Sequence, residues 1–465
     1  MRATTLITLA RAQRVPEAWQ PDDTPALAGH LSLSKLIHSE TPPAIYGANR
    51  LVGHLDGTEL EAEDIARFQL HLIESHRIGG PPWMSDWQVR CVTYAKLAAL
   101  NSGGSTISRP LYKQILRCAT ADDFAPSLPV NASYSAGDVI PAAHWAHGVI
   151  NHENYLQQQS LDIKEGLSLI NGTFVHLGQA LSLLPRVERL VANSLGLSRL
   201  FADITGCGPL ASHWRAVDPT DGPLAACWRF LGHSQTPDGD RQESVSVRAA
   251  PQLADALISA LRQFAGELDT HINRPADNPL ISDHPLAAIS QASFLAPRLT
   301  VATAGLIETL MLTGWGNVQR AQYLLSGYVP GIPAQAVEPD RPLGLIQVPK
   351  RMMAELETLR LNTGRRAFAS GGATSEGIED LWSHGMAANR QLETALEAAE
   401  SIMALEFALL AWCEERFTQT ANVPPALKAI VGGTEFQTMA IKALAVLQTA
   451  PFTQASRLTR QLALE

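Results

Sequence analysis

Between residues 375 and 416 the chain has no proline, and apolar residues recur at Leu392, Ala395, Leu396, Ala399, Met403, Phe407, Leu410 and Cys413. Steps of three and four put them on one face of a helix several turns long. The alanine-rich stretch ETALEAAESIMALEFALLAWCEE keeps that face low in relief, so a second helix can approach closely. The same period predicts helices over 254–271, 294–314 and 349–361, the last opened by a proline whose fixed φ suits a first turn. Shorter helical runs at 61–76, 86–101 and 110–119 are separated by Gly- and Pro-rich connections. Long connections fall at 38–57, 124–141, 206–241 and 328–342, and loops of that length in a compact helical protein commonly wall a site or meet another subunit. Convincing strand alternation is scarce. The pattern predicts a mostly α chain built on a bundle of long helices. A loop-rich helical region, 1–200, precedes a long-helix region, 201–465.

Composition narrows the function. The 465 residues are 46% hydrophobic and 17% charged, enough for a large core and unlike a disordered chain. The longest apolar region, near 293–312, still holds Arg298 and Glu308, so no membrane span is expected. A net charge of −9 argues against nucleic acid, whose binders cluster Lys and Arg against phosphates. The N-terminal apolar run is shorter than a signal core, and five scattered cysteines form no Cys-x-x-Cys pair. These features predict a cytoplasmic protein with reduced thiols and no metal framework.

Several patches carry more than a core needs. IYGANR (45–50) sets Tyr46 before a glycine, and ASYSAGDVIPAAH (132–144) is a small-residue loop leading into a helix. KEGLSLINGT (164–173) ends a helical run at Asn171-Gly172, where Asn-Gly ordinarily serves as a C-cap. RQESVSVR (241–248) spaces Gln242 and Arg248 six residues apart. Taken in order, these patches resemble the aromatic amino-acid ammonia-lyase family of histidine, tyrosine and phenylalanine ammonia-lyases and related aminomutases. YGANRLVG resembles the family's Tyr-Gly-x-Asn-Thr-Gly-Phe-Gly loop, and LIESHRIGG (72–80) its Leu-Ser-His-x-x-Gly segment. KEGLSLINGT is similar to Lys-Glu-Gly-Leu-Ala-Leu-Ile-Asn-Gly-Thr nearly residue for residue. RQESVSVRAAPQ (241–252), NRPADNPLI (273–281), TSEGIEDLWSHG (374–385) and ALEFALLAW (404–412) follow in the family's order. The resemblance implies an aspartase/fumarase-like long-helix fold, a homotetramer with shared active sites, and a site carried by the loops of the N-terminal half.

The departures matter as much. The family builds an electrophile, methylidene-imidazolone, from Ala-Ser-Gly; the central serine loses water to form the methylene. At the matching place this chain reads Ser135-Ala136-Gly137-Asp138, and Ala136 has no β-leaving group. On that reading the loop is a degenerate one and no prosthetic group or other cofactor is expected. The alternative register Tyr134-Ser135-Ala136 does centre a serine, but with alanine where glycine reaches strained geometry more cheaply. Thr-Gly-Phe becomes Arg50-Leu51-Val52, the tyrosine three before Arg248 becomes Val245, Ser-Glu-Arg-Arg becomes 317–320 (NVQR), and the His after Glu379-Asp380 becomes Leu381.

By resemblance, Tyr46 is the proton carrier and Glu379 a second acid/base. Arg248 grips a carboxylate with its fork, Asn171 and Gln242 fix substrate polar groups, His76 faces the substrate side chain, and Phe294 lines an apolar wall. A phenol of ordinary pKa near 10 needs nearby cations or amide dipoles to act near neutrality; Arg248 and the helix start after Gly137 are the candidates. A buried Arg248 with no ligand would need an acid partner, for which Glu379 and Glu243 are the candidates. The expected function is a lyase-like enzyme without the electrophile. It would perform elimination, isomerisation or conjugate addition and cyclisation on a carboxylate-bearing, amino-acid-derived small molecule. The alternatives are a non-catalytic scaffold and a true ammonia-lyase or aminomutase with the group in the shifted register.

Overall fold

The computed structural model describes residues 1–21, 24–131, 136–232, 242–364, 372–419, 425–432 and 435–464. The chain is mostly helical, as the hydrophobic period predicts. Among the described residues the sheet is one antiparallel pair, Leu280–Asp283 with Leu286–Ile289, in which Leu280 faces Ile289.

The longest helices are Phe174–Thr205, Ala250–His271, Pro297–Leu324 and Gly385–Cys413. The predicted 86–101 helix is present at those residues, opened by a reciprocal Ser85–Gln88 capping box. The proline-free run that starts at residue 375 opens with a 3-10 turn at Ser375–Gly377 and becomes α-helical only at Gly385. Ahead of it Glu376, Gly377 and His384 take positive φ, and a side chain at Gly385 would sit 2.6 Å from Cγ of His176. The 32-residue helix Phe174–Thr205 is absent from the sequence reading because it contains Pro185. The chain's most apolar long helical stretch lies within Glu165–Thr205, not at 293–312; 94% of its most apolar window is buried inside the protein.

The residues form two compact units, each drawn from three stretches, so neither coincides with the 1–200 and 201–465 regions. The first comprises Met1–Leu183, Gly266–Val301 and Ala367–Arg390. It packs helices closely where glycine permits. A Cβ at Gly178, on Phe174–Thr205, would lie 2.4 Å from Cα of Val92 on Asp86–Asn101. Gly178→Ala is therefore expected to destabilise the protein by about 1–3 kcal/mol in a denaturant titration. An unchanged midpoint would show that the two helices separate freely.

The second unit comprises Leu184–Ala265, Ala302–Arg366 and Gln391–Glu465. Its helices are tied by two bidentate ion pairs, Arg186–Glu400 (2.8 Å for both bonds) and the fully buried Arg320–Glu406 (2.8 and 3.0 Å). Arg320, in the altered 317–320 segment, thus joins two helices inside this unit.

Candidate active site

The loop that carries Tyr46 is held by its own side chains. Asn49 Oδ1 accepts the Ile45 N–H (2.7 Å) and its Nδ2 donates to the Pro43 carbonyl (2.9 Å). Backbone bonds run from Gly47 N to Arg50 O, from Leu51 N to Thr58 O and from Leu60 N to Asn49 O. Arg50 closes the loop by donating to Gly57 O (2.7 Å) and to Glu59 (2.6 Å). Gly47 has φ +68, and a Cβ there would be 2.2 Å from a Leu167 methyl, so the Tyr-Gly pair is a steric requirement. The Tyr46 hydroxyl accepts the Gly53 N–H at 2.8 Å.

Burial raises the Tyr46 pKa above that of an ordinary phenol; the Gly53 N–H offsets part of this, and the Glu379 and Asp56 charges add to the rise. The expectation that cations bring this phenol toward neutrality is not met within the first unit. The described groups around Tyr46 act in the opposite direction on balance.

KEGLSLINGT forms the short helix Glu165–Ile170, and most of its polar residues are structural. Lys164 and Asp277, both buried, pair at 3.0 Å, and Ser168 Oγ donates to the same carboxylate oxygen at 2.7 Å. Glu165 accepts the N–H groups of Ser108 and Asp162. Lys96 is fully buried and donates to the carbonyls of Ser168 (2.5 Å) and Asn171 (3.0 Å), at the C-terminal end of that helix. Burial pulls its pKa down to about 7. Asn171 is the C-cap of that helix, as Asn-Gly suggests; it is extended (φ −92, ψ 150), and Gly172 takes φ +118. Its side chain is turned so that Nδ2 donates to Asn278 O (2.9 Å) and to Asp277 Oδ1 (3.4 Å).

Of the Ser135-Ala136-Gly137 loop, Ser135 lies outside the described residues, as does Tyr134. Gly137 has φ +93, and a Cβ there would stand 3.5 Å from Asn171 Oδ1 and 3.6 Å from Phe294 Cβ. Asp138 is buried, bonded to His176 Nδ1 (2.6 Å) and to Ser383 Oγ (3.0 Å), and it anchors the start of the helix Val139–Asn151.

A cavity of about 1080 Å³ opens among these pieces of the first unit. Tyr46, His76, Ala136, Asn171, Phe294 and Glu379 all line it. His76 is half-buried, with Nδ1 on the Leu72 carbonyl at 2.7 Å, so a neutral ring keeps Nε2 as an acceptor. Glu379 is half-buried and accepts from Thr374 Oγ1 at 2.8 Å. Arg50 and Leu381, noted in the sequence only as departures, also line the cavity, as do His54 and Asp56, which sequence reasoning missed. Their signal was simply nearness to Tyr46 in the chain. Among the described residues no His/Cys/Asp/Glu cluster has metal-site geometry.

Gln242 and Arg248 belong to the second unit, and the first unit's cavity does not include them. Both are exposed. Arg248 ends the short helix Val245–Arg248, its Nε donating to the backbone carbonyl of Glu243 at 3.0 Å. Arg248 is exposed, so it does not need the acid partner a buried arginine would; Glu243 Oε1 accepts the Gly208 N–H, and Glu379 belongs to the first unit. Arg248 lines a separate hollow of about 430 Å³ with Trp228, Glu243 and Gln252.

The chain is similar to known proteins over most of its length. The sequence model of the family described as aromatic amino acid lyase matches residues 24–431. Histidine ammonia-lyase of Deinococcus radiodurans is 28% identical over 409 residues, covering 80% of this chain and 76% of that one. That of Photorhabdus laumondii is 26% identical over 412 residues, covering 82% and 80%. Among solved structures, tyrosine aminomutase from Streptomyces globisporus shares the fold with a TM-score of 0.84 at 19% identity, covering 98% of this chain and 96% of that one.

These relationships overturn the expectation of a protein without a prosthetic group, because the family depends on methylidene-imidazolone. Gly137 keeps the backbone turn and the Asn171–Phe294 surround, but Ala136 has no hydroxyl to lose. The serines of this loop, Ser133 and Ser135, lie outside the described residues. Matched over most of its length, the chain belongs to the aromatic amino acid lyase family.

Proposed function

We propose that the protein is a lyase for a carboxylate-bearing, amino-acid-derived small molecule. Tyr46 carries the proton in an elimination, or in the reverse addition. The observation that supports this most is the single cavity lined together by Tyr46, His76, Asn171, Phe294 and Glu379. A phenol, a carboxylate and an imidazole lining one cavity give three groups able to hold or move a proton, and Phe294 and Leu381 add apolar surface. Tyr46 rests as a phenol, ready to donate in the addition direction; to accept a proton in elimination it needs a cation nearby.

The proposed source of that cation is Arg248. In this reading the protein is a homotetramer whose sites are shared, and Gln242 and Arg248 reach each cavity from neighbouring copies. Arg248's exposed fork, engaged only at Nε among the described residues, suits a carboxylate.

The test is turnover of L-histidine, L-tyrosine and L-phenylalanine and of the matching enoates with ammonia, in wild type and in Arg248→Lys. At least one pair is expected to turn over. Lys keeps the charge and loses the two-pronged geometry, so Arg248→Lys should raise KM roughly tenfold or more with a smaller change in kcat. Binding without turnover in every case would instead identify a non-catalytic scaffold.

A further inference from the structure

We propose that His144 is a positioning residue for the cavity: as the neutral ring protonated at Nδ1 it clamps the segment after His76 to the helix Val139–Asn151, and a doubly protonated ring cannot make that clamp. The inference deepens the proposed function, and its kinetic arm rests on the cavity being the substrate site.

Three pieces of the first unit meet at this imidazole. His144 is buried in the helix Val139–Asn151, whose Val139 lines the cavity with Ala136. Its Nδ1 donates to the Ser127 carbonyl at 2.9 Å, and its Nε2 accepts the Gly79 N–H at 3.1 Å. A carbonyl can only accept and a backbone N–H can only donate, so the two partners fix the ring proton on Nδ1.

The clamped segment follows directly on His76, which lines the cavity. Arg77 N bonds back to Glu74 O and Ile78 N to His76 O, both local, whereas the Gly79 bond reaches 65 residues along the chain. Beyond it, Met84 N donates to Leu128 O and Val130 N to Pro82 O, so this segment continues along the stretch that holds Ser127. The fit at Gly79 is close: a Cβ there would stand 2.5 Å from Pro129 Cγ and 3.2 Å from His144 Nε2. The Trp83 ring lies beside the imidazole, 5.9 Å between centroids. His144 thus sets the His76 segment against the helix that starts after Gly137.

An imidazolium carries N–H on both nitrogens and would set one of them against the Gly79 N–H. Burial lowers the His144 pKa; the Ser127 carbonyl opposes this, and the charges of Arg77 and His147 add to the lowering. Glu74, on the helix Ile65–His76, acts on His147, and residues 124–131 carry no titratable side chain. A base whose pKa is lowered by folding contributes stability above its unfolded value, near 6.5, and loses it as pH falls through the folded value. The clamp is closed at neutral pH and opens on acidification.

The experiment is hydrogen exchange of residues 77–80 in the full-length protein, corrected for intrinsic rates, at about pH 7.5 and about pH 4.5. In wild type, protection should fall at least about tenfold on acidification, the weight of one hydrogen bond. His144→Gln can place an acceptor where Nε2 stands and does not titrate, so protection should hold at both pH values. His144→Asn keeps a donor for Ser127 and loses the acceptor, so protection should be low at both. KM for whichever of L-histidine, L-tyrosine and L-phenylalanine turns over should rise on acidification at least about threefold more in wild type than in His144→Gln. Wild-type protection that ignores pH, or a Gln variant that opens as wild type does, would overturn the clamp. Those two proteins decide the matter even where His144→Asn fails to fold. A clamp that opens while KM changes alike in both proteins would make His144 structural and sink its positioning role. If none of the three amino acids turns over, the assignment of the cavity fails and the positioning role with it, whereas the exchange result still reads the clamp.

Discussion

Replacing Tyr46 by Phe is expected to lower kcat by roughly 10²–10⁴ while ligand binding and the fold persist. Phe keeps the ring that packs in the 43–60 loop and removes the atom that moves the proton. The one structural loss is the acceptor for the Gly53 N–H, which bonds to the Tyr46 hydroxyl at 2.8 Å. The neighbouring loop bonds made by Asn49 and Arg50 are untouched, so the loop should hold. Circular dichroism and probe affinity close to wild type would separate a chemical defect from a collapsed loop.

The pH profile supplies a second signature. Burial and the Glu379 and Asp56 charges raise the Tyr46 pKa, so an elimination that needs phenolate should accelerate as pH rises through the neutral range. Glu379→Gln removes one of the charges that raise it and should move that acceleration to lower pH. Activity within about threefold of wild type in Tyr46→Phe would transfer the proton step to Glu379 or His76.

The largest effect on stability is expected at Asp277, outside the sequence motifs first read as catalytic. Asp277→Ala should cost about 3–5 kcal/mol, because it leaves the buried Lys164 ammonium without a counter-charge. It also removes the acceptor for Ser168 Oγ and one for Asn171 Nδ2. Burial lowers the pKa of both Lys164 and Lys96, and the Asp277 charge opposes that in each, so the carboxylate compensates two lysines at once. The diagnostic comparison is the double variant Lys164→Met with Asp277→Ala. It should regain part of the lost stability in a denaturant titration, since an apolar pair replaces an unpaired buried charge. A single variant that loses less than about 1 kcal/mol would mean water reaches Lys164 and neutralises the argument.

Helices without an interior proline were readable from the sequence. The 86–101 helix is bounded at the residues predicted, and the face predicted for the run ending at Cys413 is buried. Pro185 hid Phe174–Thr205, since a proline in mid-pattern reads as a break unless the surrounding packing outweighs the lost bond. The start at Gly385 was hidden for a different reason. Nothing local in 375–384 says that His176, some two hundred residues earlier, fills the space a side chain would need.

In the site, the Tyr46, His76, Asn171, Phe294 and Glu379 positions followed from motif resemblance, and they share a cavity. The reason KEGLSLINGT contains its lysine and serine was not legible, because their partner Asp277 is 113 residues from Lys164 and belongs to a different motif. Nor does the chain order of Gln242 and Arg248 reveal that they sit in the second unit. Proximity along a motif list carries no information about which compact body a residue joins.

The loop around Tyr46 makes most of its own bonds, among Pro43, Ile45, Asn49, Arg50, Gly57, Thr58, Glu59 and Leu60, while Gly47 is tied from outside by Gln69 and Leu167. The wall around Asn171 is the reverse, assembled from Lys96, Lys164, Ser168 and Asp277 on segments far apart. A single contiguous stretch of gene can therefore rewrite the first wall, whereas the second changes only if several distant codons change in concert. The replacement of Thr-Gly-Phe by Arg50-Leu51-Val52 falls on the wall that is free to diverge, and KEGLSLINGT and the Asp277-Asn278-Pro279-Leu280 run fall on the wall that is locked. Sequence change in such a site is easiest at the Tyr46 loop, against a backdrop whose bonds tie several distant segments together.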